Sequence, residues 1–115
     1  MTELGKIPPQ AIDLEEIILG SILLEKRGAY LGMKLMSREH FYKSKHQIIF
    51  TACEAIQKAS QPIDMLTVVE QLRKVKRLEE VGGALFISGL TDRVASTSNL
   101  EAHCRIVIQK HGCNR

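Results

Sequence analysis

The sequence has no tryptophan, and its two tyrosines and three phenylalanines make up only 4% of 115 residues. A core of Leu, Ile, Val and Ala must therefore do the filling, which favours packed helices over a β-sandwich. Stacking platforms for nucleotide bases are equally scarce. Cysteine is limited to Cys53, Cys104 and Cys113, an odd set with no paired spacing. That suits reduced thiols in the cytoplasm better than a disulfide framework. No apolar run is long enough to span a bilayer, and the N-terminus lacks a basic stretch leading into a signal-like segment, so no membrane role and a cytoplasmic location are expected. The net charge of +3 is mild for a dedicated nucleic-acid-binding domain.

Catalytic patterns are missing too. The phosphate-cradling word G-x-x-x-x-G-K-[ST] does not occur, and Gly82-Gly83 followed by Gly89 lacks the spacing of a dinucleotide site. These glycines read as a tight turn and close helix packing. His103, Cys104, His111 and Cys113 are possible zinc ligands near one helix end, but their spacing fits no closed tetrahedral site, and adjacent helical residues diverge by about 100°. His46 begins an apolar helix with no nucleophile or carboxylate near it in sequence, which suggests a structural, hydrogen-bonding role. The pairs Glu15-Glu16 and Glu79-Glu80 read as charges at helix N-termini, stabilised by exposed amides and the helix dipole. No catalytic, cofactor-binding or metal-binding residue is assigned.

What is present is one helical domain. With 44% hydrophobic and 25% charged residues the chain can bury one core and no more. The pattern predicts an all-α fold, a compact orthogonal bundle of about six short helices. Residues 1–12 read as an extended arm, 13–111 as the helical domain and 112–115 as a frayed end. Asp13 is expected to cap the first helix, with Glu16 completing a capping box, and Leu14, Ile17, Ile18, Leu19, Ile22, Leu23 and Leu24 wrap most of its circumference. Gly20 and Ser21 in so apolar a helix suggest close approach of a neighbouring backbone. A break near Gly28 precedes a helix with Tyr30, Leu31, Met33, Leu35 and Met36, and Ser37 caps a single turn before Phe41 and Tyr42. Ile48, Ile49, Ala52, Cys53 and Ile56 mark a helix from Ser44 to near Ala59, stopped by Gln61-Pro62. Asp64 caps the next, with Met65, Val68, Val69, Leu72 and Val75 inward and Glu70, Arg73, Lys74 and Lys76 outward. After a connector from Leu78 to Val81, Gly82-Gly83 opens a short helix with Leu85, Phe86, Ile87 and Leu90. Ala95 to Thr97 form a polar loop, and Ser98 with Glu101 makes a second capping box for a last helix carrying Leu100, His103, Cys104 and Val107.

Two stretches add a resemblance. The run Pro8-Pro9-Gln10-Ala11-Ile12-Asp13-Leu14-Glu15-Glu16-Ile17-Ile18-Leu19-Gly20-Ser21-Ile22-Leu23 and the later Phe41-Tyr42-Lys43-Ser44-Lys45-His46-Gln47-Ile48-Ile49-Phe50 resemble the opening of DnaB-type replicative DNA helicases. The likeness continues through Pro62-Ile63-Asp64, Leu78, Gly82-Gly83, Leu90, Asn99 and Arg105-Ile106-Val107. Departures are His103-Cys104, where the family commonly has an aromatic-small pair, and Asp13-Leu14 for an acidic-alanine helix opening.

The resemblance implies an N-terminal, non-catalytic domain whose copies dimerise and, in the parent hexamer, form a collar. That collar would dock the C-terminal domain of primase or a helicase loader. ATP and Mg would bind a separate motor domain, which would also make most contact with DNA, so no cofactor is expected in this chain. The chain stops before the expected helical hairpin, as an excised domain would. Candidate partner residues, chosen for charge and expected exposure, are Glu70, Arg73, Lys74 and Arg77 with Arg105 and Gln109 on the last helix. The basic run Arg73, Lys74, Lys76 and Arg77 also has a plain explanation as a solvated helix end. A different reading is a free-standing helical DNA-binding module, which would require steeply salt-dependent affinity.

Overall fold

A computed structural model describes the backbone of residues 9–94 and 99–112 and the side chains of 11–94 and 99–110. Among them are six α-helices and no strand: α1 (Pro9–Leu24), α2 (Lys26–Leu35), α3 (Ser44–Lys58), α4 (Met65–Lys74), α5 (Gly83–Asp92) and α6 (Leu100–Gly112). Single 3-10 turns at Arg38–His40 and Glu79–Val81 lie before α3 and α5. The all-helical expectation is met.

α1 is the hub, packing against α2, α3, α5 and α6. Its Ile18, Leu19, Ile22 and Leu23 are buried with Phe41, Ile49, Phe50, Leu72, Ile87, Leu90, Leu100 and Val107 in one core. Phe41 and Phe50 meet at 5.2 Å between centroids, tilted by 38°, within the range that favours aromatic pairs. Small residues let the neighbours approach. A Cβ at Gly20 would strike the Leu90 carbonyl, and one at Gly28 the Ser21 carbonyl. Ser21 satisfies its own hydroxyl, donating to the Ile17 carbonyl at 2.8 Å. The backbone approach expected at Gly20 and Ser21 is thus observed, with α5 over the first and α2 over the second.

Several boundaries differ from the sequence reading. α1 begins at Pro9 rather than after Asp13, so Asp13 is an interior residue and caps nothing. Proline suits the first helical position, where its missing N–H has no partner to lose. Residues 9–12 are therefore helical, not an extended arm; the rest of the proposed arm, 1–8, lies outside the described residues. The break before α2 is the extended Glu25 (φ −139°, ψ 150°), and Gly28 sits inside the helix. α3 ends through a left-handed Ser60 (φ 58°), where Gln61 N–H donates to the Ile56 carbonyl at 3.1 Å. Pro62 follows this stop and does not make it. The turn after α4 repeats the device at Lys76 (φ 63°), with Arg77 N–H donating to the Leu72 carbonyl at 2.8 Å.

Asp64 caps α4 as expected: its carboxylate accepts from Thr67 N–H at 2.9 Å, and Thr67 Oγ1 accepts from Asp64 N–H at 2.9 Å. Val75, expected inside, is 48% exposed. It lies beyond the last turn of α4, where the helical spacing no longer holds. The Ala95–Thr97 loop and the Ser98 half of the second capping box lie outside the described residues, as do 113–115 of the expected frayed end. No helix among the described residues is long and apolar enough to cross a membrane.

Candidate functional site

Three titratable side chains meet where the fold is driest. His46 and Glu15 are fully buried, while Glu16 keeps an edge toward solvent. His46 Nδ1 lies 2.7 Å from Glu15 Oε1 and Nε2 lies 3.2 Å from Glu16 Oε2. The second oxygen of Glu15 accepts from Tyr42 N–H at 2.8 Å. Glu16 is also paired with Arg93 Nε at 3.0 Å. A carboxylate oxygen therefore faces each of the two imidazole nitrogens. The ring is packed between Phe86, stacked at 6.4 Å, and Phe41, edge-on at 6.5 Å.

The sequence reading of Glu15 and Glu16 is therefore corrected. They sit in the second turn and beyond of a 16-residue helix, past the reach of its exposed N-terminal amides, and they clamp His46 across α1 and α3. His46 itself has the structural role expected. A His–carboxylate pair invites an acid–base reading, but a fully buried ring offers no route to a substrate.

The surface offers more. α3 and α4 enclose an open groove of about 670 Å³ lined by Ala55, Ile56, Ala59, Leu66, Arg73 and Lys74 among others. Alanines on α3 keep its floor low, while Leu66, 73% exposed, stands at its edge. Of the candidate partner residues, Glu70, Arg73 and Lys74 line this groove. Arg73 Nη1 reaches Glu70 at 2.8 Å, an exposed pair worth little to stability. Arg77 faces elsewhere. It joins Arg38, Ser44 and Gln47 around a polar cleft of about 410 Å³ and pairs with Glu80 at 3.4 Å. Arg105 and Gln109 are exposed on α6, and Arg105 is held by Glu101 at 2.6 Å. α4 packs on α3 and α5, whereas α6 packs on α1 and α2, so the six residues divide over separate surfaces.

Both thiols among the described residues, Cys53 and Cys104, are buried. Burial pushes Cys53 up to about 12 and Cys104 up to about 11. Cys104 points into the core; the side chains of His111 and Cys113, weighed with it as zinc ligands, lie outside the described residues, among which no metal-ligating cluster occurs.

Residues 7–109 match the family described as DnaB-like helicase N terminal domain. The chain belongs to this family. The DnaB relationship is close in sequence. Over 106 residues the chain is 40% identical to the replicative DNA helicase DnaB of Rhodothermus marinus, covering 92% of the chain and 11% of that protein. It is 35% identical over 105 residues to the DnaB of Geobacillus stearothermophilus, covering 91% and 23%. The fold agrees as well. A crystal structure of the N-terminal domain of DnaB helicase from Mycobacterium tuberculosis superposes with a TM-score of 0.83 at 28% identity, covering 91% of the chain and 74% of that one. The chain spans only 11 to 25% of the length of the DnaB and DnaC relatives it matches.

Proposed function

We propose that this DnaB-like domain is the N-terminal protein-interaction and oligomerisation domain of a hexameric, ATP-dependent replicative DNA helicase acting in the cytoplasm. Its copies pair and form a collar that docks the C-terminal domain of primase or a helicase loader. ATP, Mg and most of the DNA belong to a separate motor domain of the parent. The α3–α4 groove carries the docking part of this reading. An apolar trough edged by an exposed leucine and by the Arg73 and Lys74 cations suits an amphipathic helix laid in a groove, where buried aliphatic anchors supply affinity and rim charges supply orientation.

Calorimetry with the primase C-terminal domain tests it, using Leu66→Asp and the Arg73→Glu, Lys74→Glu pair. Leu66→Asp is expected to weaken binding by at least tenfold, in line with loss of an interface anchor. The charge reversal should weaken it mainly through slower association. All three side chains are exposed, so circular dichroism should show folded variants. Unchanged affinity in both removes the groove from the docking surface.

A further inference from the structure

α2 presents a stripe unrelated to that groove. Its inner face is pressed on α1 at Gly28, which turns the opposite face outward. Arg27, Tyr30 and Lys34 recur there at three- and four-residue spacing, with Lys26 one turn before Tyr30, so cations flank the ring at about 5–6 Å along the axis on either side. Tyr30 is 63% exposed in a chain holding only five aromatic residues. The Lys34 ammonium lies 5.4 Å from its ring centroid, a cation–π contact that steadies the ring without burying it. α6 borders the stripe. Arg105 is there, and Glu101 is held below the usual carboxylate range first by its hydrogen bond from Arg105 and further by the charges of Arg27 and Lys34 across the helix interface.

From this placement we infer that the α2 face, with Tyr30 as stacking platform and Lys26, Arg27, Lys34 and Arg105 as phosphate contacts, binds single-stranded nucleic acid. Positive charge alone would accept any polyanion. An exposed aromatic ring between cations asks for more, because a base offers a flat π-face beside each phosphate, and only an unpaired strand can turn that face outward. Duplex DNA keeps its bases stacked, and an acidic peptide would satisfy the cations while leaving the ring unused. The surface lies apart from the α3–α4 groove, whose lining includes no residue of α2 or α6.

Fluorescence anisotropy of a labelled oligothymidylate, titrated with the protein at several salt concentrations, tests the inference. Affinity should fall with salt along a log–log slope of about −2 to −3, for three to four phosphates neutralised at roughly 0.7 each. Tyr30→Ala should weaken binding about five- to hundredfold, the span reported by single-base stacking, and Tyr30→Phe should restore it. Lys34→Glu should lower both the affinity and the magnitude of the salt slope. Same-length duplex and polyglutamate should bind weakly and ignore Tyr30→Ala. Oligothymidylate binding unaffected by Tyr30→Ala, equal binding of polyglutamate, or no binding at low salt overturns the proposal. Tyr30 is a surface side chain, so unchanged thermal unfolding of its variants keeps each outcome interpretable.

Discussion

Replacing Glu15 by alanine should be among the most damaging single changes at a charged position of this domain. The substitution leaves His46 fully buried with Nδ1 facing an empty pocket, and it takes the acceptor from Tyr42 N–H. Breaking a buried pair by removing one partner costs about 3–5 kcal/mol. A domain of this length has about 6–17 kcal/mol of stability in total, so between about a fifth and most of it would be lost. Thermal unfolding followed by far-ultraviolet circular dichroism should show a midpoint lowered by roughly 12–20 °C, at about 4 °C per kcal/mol. Glu15→Gln keeps the shape and one acceptor, and should cost about 1–3 kcal/mol. Glu16→Ala should be milder than Glu15→Ala, because its carboxylate reaches solvent and Arg93 can turn outward. Replacing the pair together, Glu15→Met with His46→Phe, should regain most of the loss, since apolar groups of the same shape in place of both buried hydrogen-bond partners are often nearly neutral or better. A Glu15→Ala cost below about 1 kcal/mol, or a double variant no better than the single, would refute the clamp as a structural element.

Glycine substitutions should divide by position. Gly28→Ala drives a methyl into the Ser21 carbonyl and should destabilise, whereas Gly89→Ala, with nothing within 4 Å of the new carbon, should stabilise by about 0.5–1 kcal/mol through helix propensity alone; chemical denaturation measures both. Lys76→Gly should stabilise by about 1 kcal/mol by relieving the left-handed backbone at φ 63°, and Asp64→Ala should cost about as much by removing the α4 cap. With thiols pushed up to about 12 and 11, Cys53 and Cys104 should resist alkylation at neutral pH in the native protein and react once it is unfolded in urea. Mass spectrometry reads the difference directly.

Local signals in the sequence carried most of the fold. α3 and α4 have regular apolar spacing, and Asp64 stands three residues before Thr67, so caps and inner faces could be read from residues close together in the chain. α1 was harder, since apolar residues surround it and hide its register; Asp13 drew the start five residues too late, although Pro9 was the better mark. That error carried into Glu15 and Glu16, which looked like N-terminal charges only because the helix seemed to begin beside them. Their partner His46 is 30 and 31 residues away. Neither period nor spacing reports a pair of that kind, because it exists only once α1 and α3 are packed. The groove was half legible. The charges of Glu70, Arg73 and Lys74 were plain, but Ala55 and Ala59, which hollow it, look like ordinary helix formers. The α2 stripe was missed because Gly28 was taken for a break, which concealed that Arg27, Tyr30 and Lys34 share one continuous helix.

The hub position of α1 has a consequence for how the polypeptide is made. Of the six helices α1 is made before the others, yet α5 and α6, which complete its cover, are synthesised some sixty to ninety residues later. Until then the part of α1 that α5 and α6 cover has no lid, and the nascent chain must carry an open apolar strip that chaperones would recognise. A ribosome-arrested chain ending before Leu100 should accordingly remain protease-sensitive within α1, and release beyond α6 should protect it in a single step.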